Sequence, residues 1–381
     1  MAYKIVGANK FLFSMFLLYC VTNGDCGRKE ILINSKCEPP RGDTCIDIYQ
    51  CPFFADLLKK SPKPRPLSII KMIRSHQCGL IGRKVPKVCC TMQAKNGETL
   101  TEHSWKSNGL MSHRNFDLLP HKTCGPMSGS SRIIRGNKAS IGEFPWMALI
   151  IYNTDQRLDF KCGGTVITER YVLSAAHCKL KSAIGVRLGE YDVDKVIDCE
   201  DGYCAPAPQD FYIESFVVHP GYDPKTFVND IGIIKLLTPA NFGDPNVQPI
   251  CLPSDEAANA DLVGTQPVVT GWGVTEDGTK SSKLLKVQIP IVPTSECRKV
   301  YSHFAPISEK QVCAGGVDGK DSCGGDSGGP MQYLGSMGGR LAFIQHGIVS
   351  YGPRDCGTVG QPAIYTRVDS YMEWILDNLD P

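Results

Sequence analysis

The C-terminal two-thirds of the chain predicts an all-β fold of antiparallel barrels followed by one helix, and the stretch before it predicts a small module knotted by disulfides. Three observations carry this. Short runs at 146–152, 267–270, 284–292 and 342–349 are rich in Val and Ile and are separated by Gly, Pro and Asp turns, a pattern of antiparallel strands rather than βαβ units. Only 370–379 reads as a helix. Eighteen cysteines in 381 residues, without the C-x-x-C pairs of zinc sites, imply an oxidising compartment and a disulfide framework.

Taken in order, the chain opens with Lys4 and Lys10 around the start of an apolar run at 11–21 and a small-residue exit at 22–24. That run is too short to span a bilayer, so residues 1–24 read as a signal peptide cleaved near Gly24, the chain as secreted, and no membrane span is expected. Residues 25–90 form the small module. Its six-cysteine core at 37–90 holds Cys37, Cys45, Cys51, Cys78 and the adjacent Cys89 and Cys90. So short a span buries little apolar surface, and bridges must stabilise it, at roughly 2–4 kcal/mol each. Neighbouring cysteines do not bond each other without strain, so Cys89 and Cys90 must staple different segments. Fifteen pairings of the six remain open. Residues 91–132 are polar and aperiodic, as an exposed linker would be.

Charge divides the chain: residues 26–90 hold 13 Lys plus Arg against 5 Asp plus Glu, whereas residues 133–381 hold 21 against 30. Lys59, Lys60, Lys63, Arg65, Lys71 and Arg74 could suit a nucleic acid, but in a secreted disulfide module they read as a solvated basic face, or as one that steers the module to its own acidic partner domain or to an anionic surface. No nucleic-acid partner is expected.

The chemistry lies at 133–381. Asp321-Ser-Cys-Gly-Gly-Asp-Ser-Gly-Gly-Pro330 presents a serine, Ser327, among glycines that let backbone N–H groups approach a tetrahedral oxyanion. A serine hydroxyl needs a base and a carboxylate that orients the base. His177 in Leu173-Ser-Ala-Ala-His-Cys178 and Asp230 in Asp230-Ile-Gly-Ile-Ile-Lys-Leu236 supply both, and the chain order His, Asp, Ser is one of the known orders of the triad.

On these motifs residues 133–381 resemble a chymotrypsin-fold serine protease, and the cysteine spacing before them resembles the clip domain of arthropod serine proteases. The resemblance implies a double antiparallel β-barrel with a C-terminal helix behind a disulfide-knotted clip domain. His177 would be the general base, Asp230 its orienter and Ser327 the nucleophile, with the Gly325 and Ser327 N–H groups as oxyanion hole. Activation would be a cut after Arg132, freeing an Ile133 ammonium to pair with Asp326; Arg135 stands where the family carries a small residue. Asp321 would form the floor of a pocket for Arg or Lys, and Ser350 and Gly352 its wall. Ala363, in place of the usual glycine, would narrow it.

The resemblance also implies the cysteine pairs Cys37–Cys89, Cys45–Cys78, Cys51–Cys90, Cys124–Cys251, Cys162–Cys178, Cys297–Cys313 and Cys323–Cys356. Cys199 and Cys204 would bridge locally, and Cys26 is left over. Glu190, Asp192, Asp194, Asp198 and Asp201 crowd one turn-rich loop, and like charges at this density either stay solvated or collect around a hard cation. The family suggests calcium held by Glu190, Asp198 and the carbonyls of Asp192 and Lys195. The function implied is a trypsin-like enzyme of a haemolymph cascade (melanisation, Toll signalling or clotting). Its partners would be a protein substrate (a zymogen or cytokine precursor), an upstream activating protease and a serpin inhibitor. A catalytically silent homologue would not need the intact triad, and a digestive trypsin would not need the tethered module.

Overall fold

The computed structural model describes residues 43–51, 54–55, 58–59, 73, 77–81, 85–91, 110–127, 137–154, 157–254, 257, 262–275, 278–317, 325–353 and 358–381. The signal peptide, Cys26, the Cys37–Cys89 and Cys323–Cys356 bridges, Arg132, Ile133, Arg135 and Asp321 lie outside the described residues or side chains. Two compact units divide the chain, at 1–97 and 98–381.

The first unit is a three-stranded antiparallel sheet. Strand β3 (Val85–Thr91) lies between β1 (Asp43–Asp47) and β2 (Gln77–Ile81). Bridges Cys45–Cys78 and Cys51–Cys90 clamp it, and among the described residues its buried core includes Ile48, Phe54 and Val88 beside Cys51 and Cys90.

The second unit holds two sheets. Strands β5 (Met147–Thr154), β6 (Arg157–Thr168), β7 (Tyr171–Ser174), β8 (Ala183–Leu188), β11 (Gln209–Val218) and β12 (Gly232–Leu236) close a barrel in the order β11-β12-β7-β6-β5-β8. Between β8 and β11, β9 (Cys199–Glu200) and β10 (Tyr203–Cys204) make a two-stranded hairpin tied by Cys199–Cys204. The other sheet is an eight-stranded antiparallel half-barrel. It is ordered β15 (Ile291–Val292), β16 (Gln311–Ala314), β19 (Ala363–Arg367), β18 (Arg340–Tyr351), β17 (Pro330–Met337), β13 (Val268–Gly271), β14 (Leu285–Gln288), β4 (Asn137–Lys138). The apolar run at 284–292 splits into β14 and β15 at Ile289 and Pro290. A proline on each side of β15, Pro290 and Pro293, leaves no N–H to extend the ladder. Helix α1 (Thr294–Val300) carries Cys297 to its bridge with Cys313. Helix α2 (Met372–Asp377) buries Ile375 and Leu376 completely against the barrel core.

Part of the expected linker belongs to this unit. Across 110–127 the chain packs on the protease body, with Leu119 and Cys124 buried and Cys124 bonded to Cys251. Asn115 Nδ2 donates to the carbonyls of Leu376 and Leu379 at 2.9 and 2.8 Å, joining the Leu379 N–H that already reaches the Leu376 carbonyl at 3.2 Å. Polar composition concealed this because few apolar residues, widely spaced, do the anchoring. No helix among the described residues is long and apolar enough to cross a membrane.

Candidate active site

His177 sits in a single 3-10 turn, Ala176–Cys178, where β7 ends. The bridge Cys162–Cys178 fastens that turn to β6. Cys162, His177 and Cys178 lie close enough to hold a metal, but both sulfurs are spent in the bridge. Asp230 enters β12 with its side chain fully buried. Its Oδ1 accepts the His177 N–H at 2.9 Å and its Oδ2 accepts from His177 Nδ1 at 2.7 Å and from the Ser350 hydroxyl at 2.6 Å. The Thr366 hydroxyl donates to the Asp230 main-chain carbonyl at 2.7 Å. A carboxylate only accepts when ionised, so Nδ1 carries the proton and Nε2 is left basic.

Ser327 lies in a turn that only glycines could build. Gly325 and Gly328 hold φ at +104° and +79°. A Cβ on Gly328 would fall 2.3 Å from Ser174 Oγ and 2.5 Å from the Gly163 carbonyl. The Ser327 carbonyl accepts from Gly163 N–H at 2.8 Å, and Gly328 N–H donates to Val349 at 2.9 Å. Because Gly163 follows Cys162, and Cys162 is bonded to the residue after His177, the nucleophile turn and the base are registered through one bridge. Among the described residues no backbone carbonyl takes the Gly325 or Ser327 N–H.

Next to the serine, Asp326 Oδ1 accepts from Gly273 N–H at 2.9 Å. A Cβ on Gly271 or Gly273 would collide with this carboxylate at 2.1 or 2.6 Å. Across the expected substrate pocket, a Cβ added to Gly352 would lie 3.2 Å from the Ala363 methyl, so the extra methyl group faces the wall that Gly352 forms. Beside Gly325 opens a cleft of about 220 Å³ lined by Leu149, Phe160, Lys161, Cys162 and Trp272 among others.

The sequence reading missed the aromatic group around the base. Phe227 stands edge-on to His177 at 5.7 Å and 5.4 Å from Tyr351, which also meets Tyr301 and Phe304, each at 5.5 Å. The signal available was Phe227 three residues before Asp230.

In the acidic loop the structure sorts the carboxylates. Glu190 and Asp198 converge on the Tyr191 N–H, at 2.9 and 3.1 Å. Burial, and behind it the Asp198 charge, raises the Glu190 carboxyl above its ordinary range. Asp192 turns instead toward Lys195 and Lys283. Asp198 Oδ1 is buried without a hydrogen-bond donor among the described residues. Glu190 Oε2 also accepts from the Arg187 guanidinium at 3.2 Å, so the unspent oxygens of the loop are those of buried Asp192 and Asp198.

Residues 133–375 match the Trypsin family, and residues 37–90 match the Regulatory CLIP domain of proteinases. The chain is 37% identical to the CLIP domain-containing serine protease HP8 of Bombyx mori, over 92% of this chain and 94% of that one. It is 39% identical to Phenoloxidase-activating factor 3 of Holotrichia diomphalia, over 90% and 93%. The solved structure of the Drosophila Grass clip serine protease of the Toll pathway superposes with a TM-score of 0.61 at 33% identity, covering 88% of this chain and 94% of that one.

Proposed function

Because the chain belongs to the clip-domain serine proteases of the trypsin family, we propose that it is the secreted zymogen of a trypsin-like endopeptidase. A cut after Arg132 activates it, and it then cleaves protein substrates after Arg or Lys in a haemolymph cascade of melanisation, Toll signalling or clotting. The observation that carries the catalytic part is the buried Asp230 carboxylate, bound at once to His177 Nδ1, His177 N–H and Ser350 Oγ. Held so, His177 Nε2 takes the Ser327 proton as Oγ attacks the substrate carbonyl, and the Gly325 and Ser327 N–H groups receive the developing oxyanion. The tetrahedral adduct collapses as His177 returns the proton to the leaving amine. Water then repeats the sequence on the acyl-enzyme. A silent homologue has no use for this arrangement.

Specificity in this reading comes from Asp321, whose carboxylate would demand a cationic side chain, with Gly352 and Ala363 narrowing the approach. The zymogen would lack the Ile133 ammonium that neutralises Asp326 and shapes the oxyanion hole. The six described disulfides suit an oxidising, extracellular setting. The substrate would be another zymogen or a cytokine precursor, with an upstream protease to make the cut and a serpin to end the activity.

The test is direct. Ser327→Ala should lose fluorophosphonate labelling and lower peptide hydrolysis by several orders of magnitude, and Arg132→Gln should block activation. Labelling of the alanine variant would move the nucleophile elsewhere. Calcium, when bound, would neutralise the paired acids, held by Glu190, Asp198 and the Asp192 and Lys195 carbonyls. It should raise the unfolding midpoint of the Ser327→Ala protein relative to chelator, by an amount growing with its concentration, and Asp198→Asn should abolish that rise.

A further inference from the structure

Asp230 and the aromatic ring that touches its histidine are delivered by one strained loop. Between His219 and Ile231 the chain closes on itself, with His219 N–H donating to the Ile231 carbonyl at 3.0 Å and Asp223 N–H to the Val228 carbonyl at 3.1 Å. Phe227 and Asn229 hold φ at 55° and 57°, the left-handed region that L side chains resist. Such strain persists only where the surroundings over-determine it.

The Asn229 side chain supplies that constraint. Its Oδ1 accepts from the Tyr371 hydroxyl at 2.9 Å and its Nδ2 donates to the Gly221 carbonyl at 2.7 Å. Tyr371 comes from the 3-10 turn just before α2 and is 3% exposed. Its ring meets His219 edge-on at 5.4 Å, so one tyrosine bears on both the entrance and the exit of the loop. Burial, joined by the Asp230 charge, pushes the Tyr371 phenol far above its ordinary range, and the hydroxyl stays a donor. Thr366 holds the Asp230 carbonyl and Ser350 its carboxylate. Neither acts on the peptide that leads into Asp230.

We propose that Tyr371 is a positioning residue for the reaction: acting through Asn229, it sets the direction in which Asp230 presents its carboxylate to His177 Nδ1. This rests on the reading of His177, Asp230 and Ser327 as a protease triad. It also makes the C-terminal turn part of the catalytic support, although Tyr371 is 141 positions beyond Asp230 in the sequence.

Two variants of the full chain, cut and compared with the parent, test it. Tyr371→Phe removes the hydroxyl alone. Asn229→Gly removes the tether while accepting the positive φ without steric cost, so it separates tether from strain. Each should lower kcat on an Arg peptide about tenfold, the worth of one well-placed hydrogen bond, with KM unchanged. Each should also shift or broaden the low-field proton resonance of His177 Nδ1–H. The double variant should be no worse than the poorer single, since the Tyr371–Asn229 bond is lost in both. Parental kcat and an unmoved resonance in either folded variant, even with a lower unfolding midpoint, would overturn the proposal. An inactive, unlabelled parent would instead overturn the protease reading, while the resonance would still decide the geometric claim.

Discussion

The two halves of the protease unit hold their catalytic groups by different means. The closed barrel presents His177 and Asp230 on side-chain hydrogen bonds: Asp230 is fixed by His177, Ser350 and Thr366, and Asn229 by Tyr371. The half-barrel presents Ser327 on backbone bonds and on contacts that leave no room for a Cβ, at Gly271, Gly273 and Gly328. A donor on a side chain can be removed with a local and bounded loss. At Gly271 and Gly273 the obstruction is the Asp326 carboxylate, and at Gly328 it includes the Gly163 carbonyl, main chain that cannot be adjusted in the same way. The nucleophile half should therefore be the more brittle to added atoms and the base half the more sensitive to deleted ones.

The largest effect should come from one methyl group on the brittle side. Gly328→Ala imposes a positive φ on a side chain and drives Cβ into Ser174 Oγ and the Gly163 carbonyl. Strain and overpacking together should cost about 4 kcal/mol. Removing Ser174 Oγ as well should recover little, because the Gly163 carbonyl is backbone. Folded yield and the rate of fluorophosphonate labelling measure this, and parental labelling by Gly328→Ala would remove the basis of the contrast.

Acid should also find the half-barrel first. His346 on β18 is 4% exposed, and burial, with the Arg367 charge behind it, lowers its pKa to about 4. The unfolded chain protonates this histidine near its ordinary pKa of about 6.5, while the folded protein does not until the pH nears 4. Stability from this group is therefore complete above pH 6.5 and falls as the pH drops to about 4, where the loss reaches about 3 kcal/mol. His346→Gln should flatten that slope in the unfolding midpoint of the Ser327→Ala protein. An unchanged slope would place the acid sensitivity elsewhere.

How much of this could be read from the sequence depended on how local the information was. His177, Asp230 and Ser327 each sit in a short motif whose composition reveals its chemistry, and the runs that became β5, β13 and β18 have strand character within their own few residues. Ser350 was assigned to the pocket wall, yet its hydroxyl also binds Asp230, 120 positions away. Thr366 and Tyr371 attracted no notice because a threonine in a strand and a tyrosine before a helix carry no mark of what they will face. The buried pair of Lys286 and Glu143, at 2.6 Å, was invisible for the same reason: it joins two elements 143 positions apart. Segment 110–127 read as linker because its anchors are sparse and their partners lie on α2 and at Cys251.

The smallest effect concerns how the halves are joined, and it separates a coupling from a coincidence. Two glutamines of the half-barrel reach the closed barrel and its approach. Gln332 Oε1 accepts from Trp146 Nε1 at 2.6 Å, and Gln345 Oε1 accepts from Thr165 Oγ1 at 2.6 Å, with Thr165 and both glutamines fully buried. Thr165→Val keeps the shape but strands the Gln345 carbonyl oxygen without that donor, which should cost about 1–2 kcal/mol. Gln345→Leu strands the threonine hydroxyl, which can turn to another acceptor more easily than a carbonyl can find a donor, so its cost should be lower. Removing both partners should then cost less than the sum of the singles, because the double variant leaves neither group wanting. A cycle of unfolding free energies in denaturant gives the coupling. Strict additivity would mean that the Thr165–Gln345 bond adds nothing to the joining of the halves. Non-additivity of about 1 kcal/mol would make them registration points, fixing how the half that carries the nucleophile meets the half that carries the base.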